Sequence, residues 1–98
     1  GCVARDTLPS SPALNCANPN RATVTLEDFS AERDTVVVDV RALFATANLS
    51  VNQEKTAMGC MSGPTDGDCA PIFESLGLPF GGAAGGGQRV FSVAKGSP

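Results

Sequence analysis

The chain has 98 residues and a formal net charge of −3, and it contains no histidine, tyrosine or tryptophan. Its seven basic residues are scattered, which excludes the clustered Lys and Arg that bind nucleic acid phosphates. No apolar run approaches the roughly 20 residues of a membrane-spanning helix, so no membrane span is predicted. With five Phe as its only aromatic residues, the chain is expected to have a thin core.

The first 20 residues contain Cys2 and Cys16 within a proline-rich stretch. No apolar periodicity is evident there, so an irregular loop closed by a Cys2–Cys16 disulfide is predicted. The abrupt start at Gly1, without a Met or an export signal, is typical of a processed chain or a fragment.

Several segments have the composition of strands. Residues 22–29 alternate apolar and polar side chains, and a half-buried strand is predicted over 23–29. The valine-rich residues 35–40 predict a second strand, which runs into one or two helical turns at 41–46 with Asp39 near their start. A short strand is predicted at 49–52, and the alternation at 89–94 predicts the last one.

Cys60 and Cys69 form a second pair, nine positions apart among turn-forming residues. An even number of cysteines suits an oxidising compartment, so a periplasmic or extracellular location is expected. Three pairings of four cysteines are formally possible. The local pairs Cys2–Cys16 and Cys60–Cys69 are the simplest.

A helix is predicted over residues 69–76, with Asp68 as its cap and Pro71 in its first turn. Gly77 lies where a left-handed terminator belongs. The following run GGAAGGG, residues 81–87, has no side chains to pack and predicts a flexible Gly-rich loop.

These elements predict a mainly β fold with an antiparallel, sandwich-like sheet arrangement, short helical turns and long loops, stapled by two disulfides. Residues 1–98 are expected to form a single domain or the C-terminal half of a larger β domain. Few aromatics and uncovered strands also predict that other protein closes one sheet face. That protein is the N-terminal half of the same protein or another subunit.

The chain lacks residues that commonly form catalytic sites. Without histidine, the commonest general base and the commonest metal ligand are absent. Asp66 and Asp68 do not follow the order of an EF-hand calcium loop and are expected in turn and helix-cap roles. No catalytic residue is assigned, and the chain is not predicted to be an enzyme.

A soft-metal site is the alternative to the second disulfide. Met58, Cys60, Met61 and Cys69 are all soft ligands, and reduced thiols would suit Cu(I). In an exported chain, oxidation to a Cys60–Cys69 disulfide competes with metal binding and is favoured. No metal ligand is then assigned, and Met58 and Met61 remain weak candidate soft-metal ligands.

The order of motifs resembles a known family. The segments NCANPNRATVTLEDF, VVVDVRALF, GCMSGPTDGDCAPIFESLGL and GQRVFSV resemble the C-terminal half of the metallo-mystery-pair four-Cys proteins. That group includes the methanobactin-associated periplasmic copper-binding proteins. The four-Cys motif carries over onto Cys2, Cys16, Cys60 and Cys69.

The resemblance implies an exported, largely β protein that works with a di-haem cytochrome of the peroxidase type. In the family, copper is held by histidines together with a tryptophan that the partner has oxidised to kynurenine. Neither residue type occurs in this chain, so the copper of the intact protein is expected to have ligands outside this chain. The alternative is a secreted structural or interaction module, such as a subunit of an extracellular assembly, with no metal role.

Overall fold

The computed structural model describes residues 2–4, 10, 13–16, 19–61, 63 and 65–97, with residues 2–4 and 13–16 described by their backbone alone. In this part of the chain the strands are β1 (Cys2–Ala4), β2 (Ala13–Cys16), β3 (Thr35–Val38) and β4 (Phe91–Ala94). The helices are α1 (Val40–Leu43) and α2 (Ala70–Ser75), and a 3-10 turn at Gly67–Cys69 precedes α2. The strands pair as β1–β2 and β3–β4, both antiparallel.

The β1–β2 sheet lies in the segment predicted to be an irregular loop, so that prediction is wrong for these residues. Cys2 lies opposite Cys16, and the register shifts between Val3 and Ala4. The three prolines in the first 20 residues favour a loop, because proline usually marks turns and loops. The predicted Cys2–Cys16 disulfide depends on side chains outside the described part, but the backbone register places its two residues opposite each other.

The β3–β4 sheet confirms strands within the predicted segments 35–40 and 89–94, although both are shorter. Its register runs from Thr35 opposite Ala94 to Val38 opposite Phe91. β3 ends at Val38 because the next residue, Asp39, caps α1. The Asp39 Oδ1 accepts a hydrogen bond from the Ala42 N–H at 2.9 Å. The predicted change from strand to helical turn near Asp39 is therefore confirmed.

The strand predicted at residues 23–29 is wrong. Val24 and Leu26 are half-buried and Thr25 is exposed, so burial alternates as the sequence indicates. However, no strand pairing includes this segment within the described residues. Asn20 and Asp28 have left-handed backbones, with φ of 55° and 54°, which interrupt an extended conformation on both sides.

The short strand predicted at residues 49–52 is also wrong. Asn48 Oδ1 accepts hydrogen bonds from the Ser50 N–H at 3.1 Å and from the Ser50 hydroxyl at 2.7 Å. Such local bonds offer the backbone a turn in place of a strand ladder. The apolar residues Leu49 and Val51 remain 72% and 62% exposed.

Helix α2 ends as its sequence predicts. Gly77 has a φ of 74°, and its N–H donates to the Glu74 carbonyl at 3.0 Å. The Leu78 N–H donates to the Phe73 carbonyl at 2.9 Å. These two bonds form a Schellman motif, which satisfies carbonyls at the helix end.

The core lies between α2 and the residue that precedes β4. Cys69, Phe73 and Val90 are the buried hydrophobic residues of the described part. The ring of Phe73 packs edge-on against that of Phe80, with centroids 5.3 Å apart. Val90 also connects the core to the segment that follows β3, because its carbonyl accepts a hydrogen bond from the Asp39 N–H at 2.7 Å.

The glycine-rich residues 81–87 begin with a tight turn in which Phe80 and Ala83 exchange backbone hydrogen bonds of 3.2 and 2.9 Å. Farther along, a Cβ at Gly85 would collide with the carbonyl oxygen of Gly77. Glycine is therefore needed where two backbone segments approach closely. The flexibility of this loop stays a prediction.

The described strands form two separate two-stranded sheets, and the sandwich-like arrangement expected from the sequence is not confirmed. A mainly β and loop structure with little helix is compatible with the observed elements. Within the described part, no helix has the length and apolar character that crossing a membrane requires.

Candidate functional site

The candidate site lies around the disulfide loop, defined as residues 60–69. The predicted Cys60–Cys69 disulfide is present in the structure, with the two Cα atoms 4.7 Å apart. Cys69 is fully buried and begins the turn into α2. The bond therefore attaches the loop to the core of the molecule.

Asp66 organises the inside of the disulfide loop. It is only 5% exposed, and its carboxylate accepts from the Asp68 N–H at 3.1 Å and from the Met61 N–H at 3.4 Å. Its carbonyl accepts from the Cys69 N–H at 3.0 Å. Asp66 thus caps the 3-10 turn and closes the loop, which confirms a turn and cap role for this residue.

Asp68 does not cap α2 as predicted, and that prediction is wrong. Its carboxylate instead accepts from the Gln53 N–H at 2.9 Å and from the Thr56 hydroxyl at 3.4 Å. The residue at the N-cap of α2 is Cys69, which makes no side-chain cap bond. The 3-10 turn that Asp66 caps moves the start of the helical segment earlier, and this leaves Asp68 free to join a separate segment.

That separate segment comprises residues 52–59, and Asn52 holds it together. The Asn52 Nδ2 donates to the Thr56 carbonyl at 3.2 Å, and Oδ1 accepts from the Gly59 N–H at 2.7 Å. The sequence reasoning missed Asn52 and Gln53. The signal available in the sequence was Asn52 followed by Gly59 and Cys60. Asparagine side chains bond readily to nearby backbone groups, especially in turns.

A cavity of about 480 Å³ lies between the disulfide loop and the segment 47–59. Its apolar lining comes from Leu49, Val51, Met58, Pro71 and Ile72. This volume falls within the range of small-molecule sites. The lining offers mainly van der Waals contacts, so the cavity suits an apolar side chain or an apolar ligand.

The two weak candidate ligands, Met58 and Met61, have exposed side chains beside a disulfide. Met58 is 84% and Met61 is 67% exposed, and the sulfurs of Cys60 and Cys69 are joined to each other. Among the described residues, no group of three or more His, Cys, Asp or Glu side chains could hold a metal ion. The assignment of no metal ligand to this chain stays a prediction.

The charged group with the most altered environment lies elsewhere, at the end of the β3–β4 sheet. Asp34 accepts from the Lys95 Nζ at 2.7 Å, the Ser30 N–H at 2.8 Å and the Gly96 N–H at 3.1 Å. These bonds, that of Lys95 foremost, lower the pKa of Asp34 from 3.8 to about 2. The cluster fixes where β3 begins and where β4 ends.

Comparison with known proteins gives one informative match. No protein-family model matches the chain, and no curated protein matches it either. Among solved structures, MbnP from Methylosinus trichosporium matches with 30% sequence identity and a TM-score of 0.59. The match covers 70% of this chain and 27% of MbnP, so the chain spans about a quarter of the length of that protein. The similarity supports the family resemblance that the sequence motifs indicate.

Proposed function

We propose that this chain is the structural, disulfide-stapled C-terminal portion of an exported copper-binding protein of the metallo-mystery-pair four-Cys family. The observation that carries the proposal is the match to MbnP, which combines 30% identity with a shared fold over 70% of the chain. The motif that carries the sequence resemblance is also the segment that the Cys60–Cys69 disulfide closes.

The copper of the intact protein is then bound by residues outside this chain. Copper in proteins prefers imidazole and soft sulfur ligands. This chain has no histidine, and its disulfide removes Cys60 and Cys69 as thiolate ligands. The exposed thioethers of Met58 and Met61 are weak ligands on a surface turn. The chain contributes a fold rather than a metal centre, and we assign it no catalytic step.

The remaining parts of the proposal follow the family. A periplasmic or extracellular location suits a chain with a disulfide, and a di-haem cytochrome of the peroxidase type is the proposed partner of the intact protein. The cavity beside Met58 and Ile72 is available to an apolar side chain of the metal-binding portion.

The alternative is a secreted structural or interaction module without a metal role. The exposed apolar residues of β3 and of the segment 49–61 favour such a module, because exposed apolar patches often mark contact with other protein. The two functions differ in what the gene encodes next to this chain. Histidine and tryptophan in a preceding segment favour the copper protein, whereas an export signal directly before Gly1 favours the module.

The test is the metal content of the longest polypeptide that the gene encodes. That polypeptide, produced by export to a periplasm and purified without added chelator, is expected to hold copper after dialysis. The 98-residue chain treated in the same way serves as the matched control and is expected to hold none. A longer polypeptide that retains no copper, after loading with either Cu(I) or Cu(II), would overturn the proposal.

A further inference from the structure

The outer edge of β3 is open within the described part of the chain. Peptide groups of an antiparallel pair alternate between facing the partner strand and facing away from it. The Asp39 N–H donates to the Val90 carbonyl across the pair, so Thr35 and Val37 also face β4. The peptide groups of Val36 and Val38 therefore face outward, and no described residue forms a hydrogen bond with them.

The outer edge of β4 is partly closed by a side chain. Gln88 Nε2 donates to the Phe91 carbonyl at 2.8 Å, and Gln88 Oε1 accepts from the Phe91 N–H at 2.8 Å. The same oxygen accepts from the Val90 N–H at 2.9 Å. The amide thus occupies the outward peptide groups of Phe91, which another strand would otherwise use. The outward groups of Val36 and Val38 on β3 have no such side chain beside them.

Both faces of β3 are apolar as well as exposed. Val36 and Val38 lie on one face and are 46% and 53% exposed, while Val37 lies on the other and is 37% exposed. Edge strands that remain in water usually carry charges or proline, which discourage pairing. A continuous valine run is typical of a strand that is covered on both faces. β3 therefore has the character of a central strand.

We propose that the open edge of β3 receives an additional strand from the remainder of a longer polypeptide, so that β3 becomes a central strand. The identity of this occupant rests on the proposed function. Strand addition would use the main-chain groups of Val36 and Val38 for hydrogen bonding, and the valine side chains would give the register.

The length of the similar protein favours the same polypeptide over a second copy of this chain. Almost three quarters of MbnP lies outside the match, which is enough chain to cover the edge and both faces. If the β3 edges of two copies paired, only the edges would be covered, and the apolar faces of β3 would remain exposed.

Hydrogen exchange at Val36 and Val38 tests the inference. In a dilute solution of the 98-residue chain, their amides are expected to exchange as fast as the amide of Val51, an exposed residue outside the sheets. In the longest polypeptide that the gene encodes, exchange at both is expected to slow roughly a hundredfold or more. Equal, fast exchange in both proteins would overturn the inference, as would a gene that encodes no residues beyond these 98.

A pair of variants separates edge pairing from the packing of the side chain. Val36→Pro removes an outward N–H, which an open edge tolerates. It is therefore expected to leave the melting temperature of the 98-residue chain nearly unchanged and to lower that of the longer polypeptide. Val36→Thr keeps the N–H and the branched shape and is the control. Equal effects of Val36→Pro in both proteins, or none in either, would overturn the inference.

Two further outcomes separate the identity of the added strand from the proposed function. Protection of Val36 and Val38 that appears in the longest polypeptide only as its concentration rises would make a second copy the occupant, against the proposal. None of these measurements depends on copper. A longer polypeptide with a protected β3 edge but no copper would therefore overturn the proposed function and leave the strand addition intact.

Discussion

Asp34 joins the start of β3 to the end of β4 through a side chain that is 2% exposed. Its partners are the Lys95 ammonium and two backbone N–H groups, those of Ser30 and Gly96. Hydrogen bonds to the charged form of a carboxyl favour that form. Asp34 is for this reason the residue at which the stability of the sheet depends on pH.

Asp34→Asn is expected to lower the free energy of unfolding at neutral pH, because the variant cannot pair ionically with Lys95. The pKa of Asp34 is lowered to about 2 in the folded chain from 3.8, so its contribution is present above the unfolded value and is lost as the pH falls towards 2. Urea unfolding from about pH 7 downward measures the free energy of unfolding of the unaltered chain and of Asp34→Asn. The difference between these two free energies should shrink in acid.

The control for this prediction is Asp28→Asn. The Asp28 carboxylate lies 3.8 Å from the same Lys95 ammonium, but it is 99% exposed. Exposed pairs contribute little to stability, so this variant should behave like the unaltered chain throughout. A pH dependence that survives in Asp34→Asn would contradict the assignment to Asp34.

Gly77 occupies a position that other residues adopt only with strain. Its φ is 74°, and an added Cβ would lie 2.8 Å from the Gly86 carbonyl oxygen. Gly77→Ala is expected to lower the free energy of unfolding by about 1–2 kcal/mol or more. Gly87→Ala is the control, because a Cβ there would meet no atom within 4 Å. Equal effects of the two variants in chemical denaturation would rule out this account of Gly77.

At the scale of elements, the Cys60–Cys69 disulfide attaches the disulfide loop to α2. Replacing both cysteines in Cys60→Ala/Cys69→Ala is expected to lower the free energy of unfolding by roughly 2–3 kcal/mol, because the unfolded chain regains loop entropy. Met61→Ala changes an exposed side chain in the same loop and should stay within about 0.5 kcal/mol of the unaltered chain. A double variant as stable as the control would contradict the stapling role.

The elements that could be predicted from the sequence are those with strong local signals. The valine run gave β3, the alternation at 89–94 gave β4, and Gly77 gave the end of α2. Asp39 marked the start of α1 because an acidic side chain can satisfy free N–H groups there. In each case, neighbouring residues along the chain supply the interactions that define the element.

The elements that could not be predicted depend on partners distant in the sequence. Residues 23–29 have the pattern of a strand but no pairing partner within the described part, and a pattern of burial does not by itself supply one. β1 and β2 lie in a proline-rich stretch without apolar periodicity, which favours a loop. At the candidate site, the role of Asp68 could not be read locally, because its carboxylate bonds to Gln53, 15 positions away.

For the whole molecule, the chain is less compact and its core is smaller than in a typical domain of this length. The radius of gyration is 16.6 Å, whereas a compact domain of about 100 residues has ~13 Å. The buried hydrophobic core of the described part consists of Cys69, Phe73 and Val90. So small a core gives little stability to offset the conformational entropy of folding.

The isolated chain is therefore expected to unfold readily or to self-associate through its exposed valines. Sedimentation velocity across a range of concentrations, combined with thermal unfolding, measures both properties. Val38→Lys should reduce association, because charge on an exposed strand discourages pairing. Val51→Lys is the control, because Val51 is an exposed valine outside the sheets. A monomer with a high melting temperature that does not change with concentration would count against this expectation.

The central claim is that this chain supports a copper protein without binding the copper. Equilibrium competition with a calibrated copper chelator tests it on the oxidised 98-residue chain, with Met58→Ala and Met61→Ala as variants. The account predicts only weak binding of Cu(I) and Cu(II), unchanged by either substitution, since two exposed thioethers are the soft donors left. A stoichiometric site of sub-micromolar affinity, lost in either variant, would contradict it.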